Sequence, residues 1–128
     1  IGRKLQLCYE PLNVSCVTDE KWLLFVIEQV LSNALKYTRA GSITIELEAP
    51  KTLVIRDTGI GVAPEDLPRI FEKGYTGYNG RGDQKASGLG LYLCRTICKR
   101  LGHTITASSV PDHGTAIRIT LEQRQVRE

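Results

Sequence analysis

The chain has 128 residues, of which 41% are hydrophobic, and a formal net charge of +3. This is enough material for a single domain around one core. Acidic and basic residues are interspersed, so the charge pattern does not indicate a nucleic-acid-binding surface. The longest apolar run, at 22–27, is too short to span a bilayer.

The first half of the chain predicts two short strands, a long helix and two further strands. The strands are expected at 5–10 and 13–17, and the helix at about 20–38, with Thr18 or Asp19 as its N-cap. Gly41 suits the left-handed position just past the helix end. Clean alternation of apolar and polar residues predicts a strand at 42–48, and residues 52–57 are predicted to form another strand, joined to it by a turn at 50–51.

The second half is predicted to contain a loop-rich region, a second helix and a hairpin. Pro64 can open a short helix over 65–72, and the glycine-rich residues 74–87 form a predicted mobile loop. A second long helix is expected at 89–101, with an apolar stripe of Leu89, Leu93, Ile97 and Leu101. Strands at 103–109 and 115–122 close the chain. This order predicts an α+β, two-layer sandwich whose mixed, mostly antiparallel sheet is covered on one face by helices.

The four cysteines do not form a recognisable metal site. A zinc site would need a second ligand pair with suitable spacing, and the only histidines, His103 and His113, form no such motif. Small buried side chains are the preferred interpretation of the cysteines. A disulfide between Cys8 and Cys16 remains an alternative, and a reducing, cytosolic environment is the default.

The first helix carries an unexpected polar stripe. At about 100° per residue, Gln29, Asn33, Lys36 and Tyr37 share one side of it. The opposite, core-facing side is predicted to consist of Leu24, Ile27, Val30, Leu31, Ala34 and Leu35. A solvated helix face is the simplest explanation of the stripe, and a ligand site is the alternative.

Two glycine-containing segments favour the ligand site. Asp57 follows a buried-type strand directly, and Gly59 and Gly61 come after it. This pattern is typical of a tight turn, but the carboxylate can also accept from an exocyclic amine while the glycines let a flat ring approach the backbone.

The second segment is SGLGL at 87–91, at the start of the second long helix. Free N–H groups at a helix N-terminus, beside glycines, can bind an anion. The chain has no P-loop motif, no dinucleotide fingerprint and none of the motifs of eukaryotic-type kinases.

These separate signals converge on one ligand, a nucleotide with an amino-purine base. Asp57 suits the base, and Gly88, Leu89 and Gly90 suit a polyphosphate. Asn33 could hold Mg²⁺ through its side-chain oxygen, and Lys36 could meet phosphate charge. The loop at 74–87 could close as a lid, using Tyr75, Thr76, Tyr78, Arg81 and Lys85.

The same segments resemble the nucleotide-binding boxes of the histidine-kinase catalytic domain, in order and over nearly the whole chain. They are NALKYT (33–38), DTGIG (57–61), FEKGYTG (71–77), SGLGL (87–91) and HGTAIRITL (113–121). The resemblance implies the Bergerat fold shared with gyrase, the HSP90 chaperones and MutL, with a movable ATP lid. Residues 22–37 and 74–81 are also similar to Gram-positive sensor kinases of the intramembrane-sensing, peptide-antibiotic type.

The resemblance assigns roles to individual residues. It implies that Asn33 binds Mg²⁺, that Lys36 contacts a phosphate, and that Tyr37 packs near the base. Asp57 should accept the adenine amine, with Thr115 beside it. The short helix before the lid should hold Phe71. The nucleotide site as a whole is expected to comprise Asn33, Lys36, Tyr37, Asp57, Gly59, Gly61, Tyr75, Thr76, Arg81, Gly88, Leu89, Gly90, Leu91 and Thr115, with Asn33 and Lys36 as the catalytic pair.

Two departures from the family pattern matter. Gln29 stands where many members have a second Asn and where the hydrolysing relatives have a general-base Glu. Gln cannot take a proton from water, and Glu28 points about 100° away, so fast ATP hydrolysis is not expected. No predicted helix carries a histidine, so the phosphoacceptor histidine is expected on a separate dimerisation domain of a longer, membrane-bound homodimeric sensor kinase.

The leading interpretation is therefore a protein-histidine kinase catalytic domain on the cytoplasmic side of the membrane, with ATP and Mg²⁺ as cofactors and a response regulator as a further partner. A Bergerat-type ATPase, an anti-sigma-like serine kinase and a nucleotide-sensing interaction module are the alternatives. A His-Glu or His-Asp helix upstream of residue 1 would distinguish them.

Overall fold

A computed structural model describes residues 4–9, 19–38, 40–48, 51–75 and 90–121. The elements in chain order are β1 (Lys4–Tyr9), α1 (Glu20–Tyr37), β2 (Ala40–Glu48), β3 (Thr52–Asp57), a 3-10 turn (Leu67–Arg69), α2 (Gly90–Leu101), β4 (Thr104–Val110) and β5 (Gly114–Thr120). The strand predicted at 13–17 and most of the predicted lid lie outside the described residues. Within the part that is described, neither helix is long and apolar enough to cross a membrane.

The strands form one five-stranded sheet in the order β1-β2-β3-β5-β4. β1 pairs with β2 in parallel, and the remaining neighbours are antiparallel. Ile55 lies opposite Ile45 on one side and Ile117 on the other, so branched side chains line up across the middle of the sheet. The predicted mixed, mostly antiparallel sheet is confirmed.

The alternation of β3 explains why the helices cover one face of this sheet. Leu53 and Ile55 belong to the hydrophobic core with residues of both helices, whereas Arg56 points to the opposite face. There Arg56 pairs with Glu46 at 3.0 Å, and Arg118 pairs with Glu48 at 3.4 Å. These ion pairs are exposed to solvent, so each contributes little to stability, and they leave the core to the helix-covered face.

α1 begins at a side-chain cap, and its buried face agrees with the prediction in part. Asp19 Oδ1 accepts from the backbone N–H groups of Lys21 and Trp22, at 3.1 and 3.3 Å. The buried residues are Val26, Val30 and Ala34. Leu24 and Leu35, which were predicted to face the core, are 52% and 43% exposed. Apolar residues occupy a wide arc of α1, but only part of that arc is buried. Packing against the sheet and α2 selects Val26, Val30 and Ala34, which are spaced four residues apart.

α2 is anchored by its cysteines rather than by leucines. Cys94 and Cys98 are fully buried, and the Cys94 thiol lies 3.7 Å from the Val26 carbonyl oxygen of α1. Leu93, which belonged to the predicted stripe, is 37% exposed. The small cysteines allow the two helices to approach closely, which confirms their role as small buried side chains.

The short helix expected over 65–72 is only a single 3-10 turn at Leu67–Arg69. Instead, backbone N–H groups donate to the carbonyl three residues earlier, in the linked series 66 to 63, 69 to 66, 72 to 69 and 75 to 72. Pro68 lacks the N–H that an α-helix would pair with Pro64, so the tighter spacing replaces the α-helical one. Phe71 still reaches the core, where it is buried.

Gly41 does not end the helix as predicted. α1 ends at Tyr37 with Thr38 in an extended conformation, and Gly41 lies inside β2 with a φ of 131°. A side chain at Gly41 would overlap the Thr58 hydroxyl, which accepts from the Ser42 N–H at 3.0 Å. Gly41 therefore makes room for the segment that follows β3.

Candidate nucleotide site

A cavity of about 660 Å³ lies between α1, the segment after β3, the β4–β5 turn and the first turn of α2. Val30, Ala34, Ile55 and Ile117 give it an apolar floor. The residues that the sequence predicted for the site and that line this cavity are Asn33, Lys36, Tyr37, Asp57, Gly61, Tyr75, Gly90, Leu91 and Thr115.

Asp57 closes β3 as a nearly buried carboxylate, 8% exposed. Its Oδ1 accepts from the Gly59 N–H at 2.9 Å and from the Thr115 N–H at 3.2 Å. Burial raises the pKa of Asp57, and the hydrogen bonds from Gly59, Thr115 and the Thr38 side chain partly oppose this. Because a carboxylate offers about four lone-pair positions, this group retains acceptor capacity toward the cavity.

The two glycines after Asp57 have different roles. Gly61 lines the cavity, whereas Gly59 is not among the lining residues. A side chain at Gly59 would overlap the Tyr37 carbonyl oxygen at the end of α1, and one at Gly61, with its φ of 75°, would overlap the Val110 carbonyl oxygen. The close approach that these glycines permit is therefore between backbone segments, and it fixes the segment after β3 against α1 and the β4–β5 turn.

The polar stripe of α1 runs along the cavity wall. Gln29, Asn33, Lys36 and Tyr37 all line the cavity. Gln29 and Tyr37 are eight positions apart, which is about 12 Å along the helix axis. The Tyr37 end lies beside Asp57, because the Ile60 N–H donates to the Tyr37 carbonyl at 3.2 Å.

The Gln29 end of the stripe faces the start of α2. A methyl group at Gly90 would lie 3.3 Å from Gln29 Oε1, so the side-chain amide of α1 and the first turn of α2 are neighbours. Gly90 and Leu91 line the cavity at this point. The two ends of the cavity are therefore chemically distinct, with a buried carboxylate at one and the Gln29 amide and the first turn of α2 at the other.

Tyr75 lines the same cavity and belongs to a cluster of polar and aromatic side chains. The Arg69 guanidinium lies 5.7 Å from the centre of the Tyr75 ring. Burial, then the Asp66 carboxylate and Tyr37, raise the pKa of Tyr75, and Arg69 lowers it. Burial also raises the pKa of Tyr37. Both phenols thus remain protonated and can donate hydrogen bonds.

The sequence did not reveal the contribution of the β4–β5 turn. Pro111 and Asp112 line the cavity, and the Asp112 N–H donates to the Ile60 carbonyl at 2.7 Å. Asp112 has a φ of 68°, as expected for the third residue of a type II turn. The Pro-Asp pair signals a turn in the sequence, but its contact with the segment after β3 is long-range. The remaining lining residues that the sequence did not single out include Ile60, Val62, Ala63, Glu65, Asp66 and Ile70.

Some predicted site residues cannot be placed. Thr76, Arg81, Gly88 and Leu89, together with Tyr78 and Lys85 of the predicted lid, lie outside the described residues.

The donor set fits Mg²⁺ carried by a nucleotide better than a metal held by protein alone. Among the described residues, no group of three His, Cys, Asp or Glu side chains could hold an ion. Asn33 offers an amide oxygen in the cavity, and Mg²⁺ is usually held by few protein oxygens together with phosphates and water.

Comparison with known proteins identifies the family. Residues 18–125 match the family described as histidine kinase-, DNA gyrase B-, and HSP90-like ATPase. The sensor histidine kinase YxdK of Bacillus subtilis (strain 168) is 42% identical over 88% of this chain and 37% of its own length. The sensor protein BceS of Halalkalibacterium halodurans is 42% identical over 94% of the chain and 36% of its own. The sensor histidine kinase GraS of Staphylococcus haemolyticus is 37% identical over 97% of this chain and 36% of its own length. The chain thus spans a little over a third of these relatives, and the predicted resemblance to Gram-positive sensor kinases is confirmed.

Solved structures confirm the fold. Full-length ShkA in complex with AMPPNP has a TM-score of 0.75 at 23% identity, over 92% of this chain and 25% of that one. The mycobacterial sensor histidine kinase MprB has a TM-score of 0.72 at 24% identity, over 91% of this chain and 80% of that one. The chain belongs to the histidine kinase-, DNA gyrase B- and HSP90-like ATPase family.

Proposed function

We propose that residues 1–128 form the catalytic domain of a longer sensor histidine kinase, and that the domain binds Mg-ATP and donates the γ-phosphate to a histidine on a separate domain. The observation that carries this proposal is the cavity with chemically distinct ends, one at Asp57 and one toward Gln29, Asn33 and Gly90. Relatives that are named sensor histidine kinases, at 37% to 42% identity, support it.

The Asp57 end suits adenine. An ionised carboxylate accepts from the exocyclic amine and repels an oxo group at the same position. The apolar floor of Ile55 and Ile117 buries the flat ring, and Tyr37 provides an aromatic surface beside it. The base is thereby fixed near the end of α1.

The opposite end suits the phosphates. Lys36 supplies a positive charge, and the first turn of α2 supplies backbone N–H groups and the positive end of the helix dipole. Asn33 would hold Mg²⁺ through its amide oxygen. When bound, the metal supplies charge neutralisation for phosphoryl transfer. Since Gln29 and Tyr37 lie about 12 Å apart along α1, one extended nucleoside triphosphate can contact both ends of the cavity.

The groups near the phosphate end position the phosphates but do not activate water. Gln29 has an amide where a carboxylate would be needed to accept a proton, and Glu28 is exposed on another side of α1. Glu65, Asp66 and Asp112 also line the cavity. Asp66, with Glu65 beside it in the chain, lies near Tyr75, and Asp112 contacts Ile60, so all three carboxylates lie toward the Tyr37 end. The acceptor is therefore a nucleophile brought by another domain rather than water.

The remaining parts of the proposal concern the whole protein. The acceptor histidine lies on a dimerisation domain of the same kinase, and a response regulator receives the phosphoryl group afterwards. The full protein is a membrane-bound homodimer with this domain on its cytoplasmic side. Of the two histidines in this chain, His103 is 2% exposed and His113 lies in the β4–β5 turn, and neither serves as the acceptor.

Calorimetric titration with a non-hydrolysable ATP analogue tests the binding step. The wild-type domain should bind the analogue, more tightly with Mg²⁺ than without. Lys36→Ala should weaken binding by roughly tenfold, the loss expected for a charge-assisted hydrogen bond of about 1.5 kcal/mol. Lys21→Ala, at the exposed start of the same helix, is the matched control and should bind normally. A wild-type domain without affinity for the analogue would overturn the proposal.

A further inference from the structure

Ser109 lies near the end of β4, beside the base end of the cavity, and its hydroxyl makes hydrogen bonds with three neighbouring groups. The Val62 N–H donates to Ser109 Oγ at 2.7 Å. Ser109 Oγ donates to the Gly114 carbonyl oxygen at 2.8 Å. It also lies 3.0 Å from the Thr115 hydroxyl oxygen.

The chemistry of a hydroxyl group fixes the direction of the last of these bonds. A serine hydroxyl has one proton to donate and two lone pairs that can accept. A carbonyl oxygen can only accept, so the Gly114 bond uses the Ser109 proton. A backbone N–H can only donate, so Val62 uses one lone pair. The remaining contact therefore has Thr115 as the donor and Ser109 as the acceptor.

This direction determines what Thr115 offers to a ligand. Its backbone N–H is already given to Asp57 Oδ1, at 3.2 Å, and its hydroxyl proton is given to Ser109. Thr115 thus presents only lone pairs to the cavity that it lines. The neighbouring Asp57 carboxylate is also an acceptor, so Asp57 and Thr115 both accept hydrogen bonds and neither side chain offers a proton to the cavity.

We infer that Ser109 is a positioning residue for base selection: by holding the Thr115 proton it keeps the Thr115 hydroxyl beside Asp57 an acceptor only, so that a 6-amino purine is bound in preference to a 6-oxo purine. The inference rests on the proposed binding of ATP at this site. A 6-amino group has two N–H donors for such a wall, whereas a 6-oxo group brings an acceptor against acceptors. Ser109 acts through Thr115 and does not itself line the cavity.

The test compares dissociation constants for ATP and inosine triphosphate, which carries the 6-oxo group. Ser109→Ala releases the Thr115 proton to turn into the cavity, where it can donate to the 6-oxo oxygen. The ratio of the inosine triphosphate constant to the ATP constant should fall roughly fivefold or more, the value of one hydrogen bond gained or lost. Ser109→Thr retains the hydroxyl and should restore the ratio.

Two further variants separate this role from a structural one. Ser108→Ala removes the neighbouring serine, which contacts Arg118 at 3.0 Å on the other face of the sheet, and should leave the ratio unchanged. In a Thr115→Val background, where the proton is absent, Ser109→Ala should have no further effect on the ratio. Thr115→Val alone should lower the ratio, which keeps the inference testable if Ser109→Ala does not fold.

The outcomes distinguish the inference from the proposed function. Equal weakening of both nucleotides by Ser109→Ala, or an undiminished effect of Ser109→Ala in the Thr115→Val background, would overturn the role of Ser109 while leaving ATP binding intact. An unchanged ratio in Thr115→Val would do the same. Failure of the wild-type domain to bind ATP would overturn the proposed function itself.

Discussion

The backbone N–H of Thr115 donates to Asp57 Oδ1 at 3.2 Å, and this bond joins the start of β5 to the end of β3 at the base end of the cavity. The Gly59 N–H donates to the same oxygen at 2.9 Å. The carboxylate is therefore oriented before any ligand enters, which lowers the cost of ordering it on binding.

Asp57→Asn should lose ATP binding without losing the fold. The side-chain oxygen of Asn can still accept from Gly59 and Thr115, but its NH₂ group would face the adenine amine, so binding should weaken by about 1–3 kcal/mol. Titration calorimetry measures the loss. Asp112→Asn, at an exposed carboxylate on the same cavity, is the control and should bind nearly as well as the wild type; normal binding by Asp57→Asn would refute the adenine assignment.

The same substitution should change how stability depends on pH. Burial raises the pKa of Asp57 above its unfolded value of about 3.9. The stability that comes from the protonated group is therefore complete below about pH 3.9 and is lost as the pH rises through the folded pKa. Denaturant unfolding at several pH values should show Asp57→Asn gaining stability relative to the wild type as the pH rises above that range.

Alanine substitutions at Gly59 and Gly90 should have different effects, the first on the free energy of unfolding and the second on ATP binding. Gly59→Ala would force a methyl group into the Tyr37 carbonyl and should cost about 1–3 kcal/mol of unfolding free energy. Among the described residues, a methyl group at Gly90 meets the flexible end of Gln29 at 3.3 Å. The fold of Gly90→Ala should therefore survive, while ATP binding weakens because the methyl group reduces the space for the phosphates. Thermal unfolding and calorimetry on both variants check this; a stable Gly59→Ala protein would contradict the packing role.

The sequence predicted the fold well where the pattern was local. β3 was predicted at the residues where it lies, because its short apolar run and the turn residues that follow Asp57 are local signals. The face of α1 was predicted in part. Val30 and Ala34 are buried as predicted, whereas Leu24 and Leu35 are exposed, because apolar residues occur on several sides of the helix and contacts with the sheet and α2 select among them. The burial of Cys94 and Cys98 was predicted correctly, but the apolar stripe predicted for α2 did not include them, since cysteine carries a weak hydrophobic signal.

The candidate site shows the same difference between residues that carry a local sequence signal and residues that are placed by long-range contacts. Asn33, Lys36 and Asp57 could be selected because each lies in a motif with a chemical rationale, and all three line the cavity. Pro111, Asp112 and Ser109 could not, because their contacts join segments about 50 positions apart, such as Ser109 with Val62. Such contacts follow from sheet topology, which a single sequence specifies only indirectly.

Cys94 and Cys98 should be unreactive in the native domain. Burial raises the pKa of Cys94 to about 12 and that of Cys98 to about 11, so few thiolates exist at neutral pH. Alkylation followed by peptide mass spectrometry should show slow modification in buffer and fast modification in denaturant. Rapid labelling of either cysteine in the native protein would contradict the packing of α2 against α1.

The domain should lose stability on mild acidification through His103. Burial lowers its pKa, and a hydrogen bond to the Leu121 backbone partly opposes this. A base whose folded pKa is below the unfolded value of about 6.5 contributes stability that is complete above that pH and is lost as the pH falls toward the folded pKa. His103→Gln should flatten the decrease below about pH 6.5, measured by denaturant unfolding, and an unchanged decrease in this variant would contradict the role of His103.

Incorporation of label from γ-labelled ATP tests directly whether this domain donates the γ-phosphate to a histidine carried by another domain. Residues 1–128 alone should bind ATP, release phosphate very slowly and remain unlabelled, because Gln29 cannot activate water and the nucleophile is absent. Adding the histidine-bearing domain of the same kinase should produce acid-labile label on that domain. Asn33→Asp should remove most of this label, since it changes a cavity-lining side chain outside the buried line of α1, and Glu28→Gln should not. Robust acid-labile labelling of residues 1–128 alone, or rapid release of phosphate without the second domain, would contradict the account.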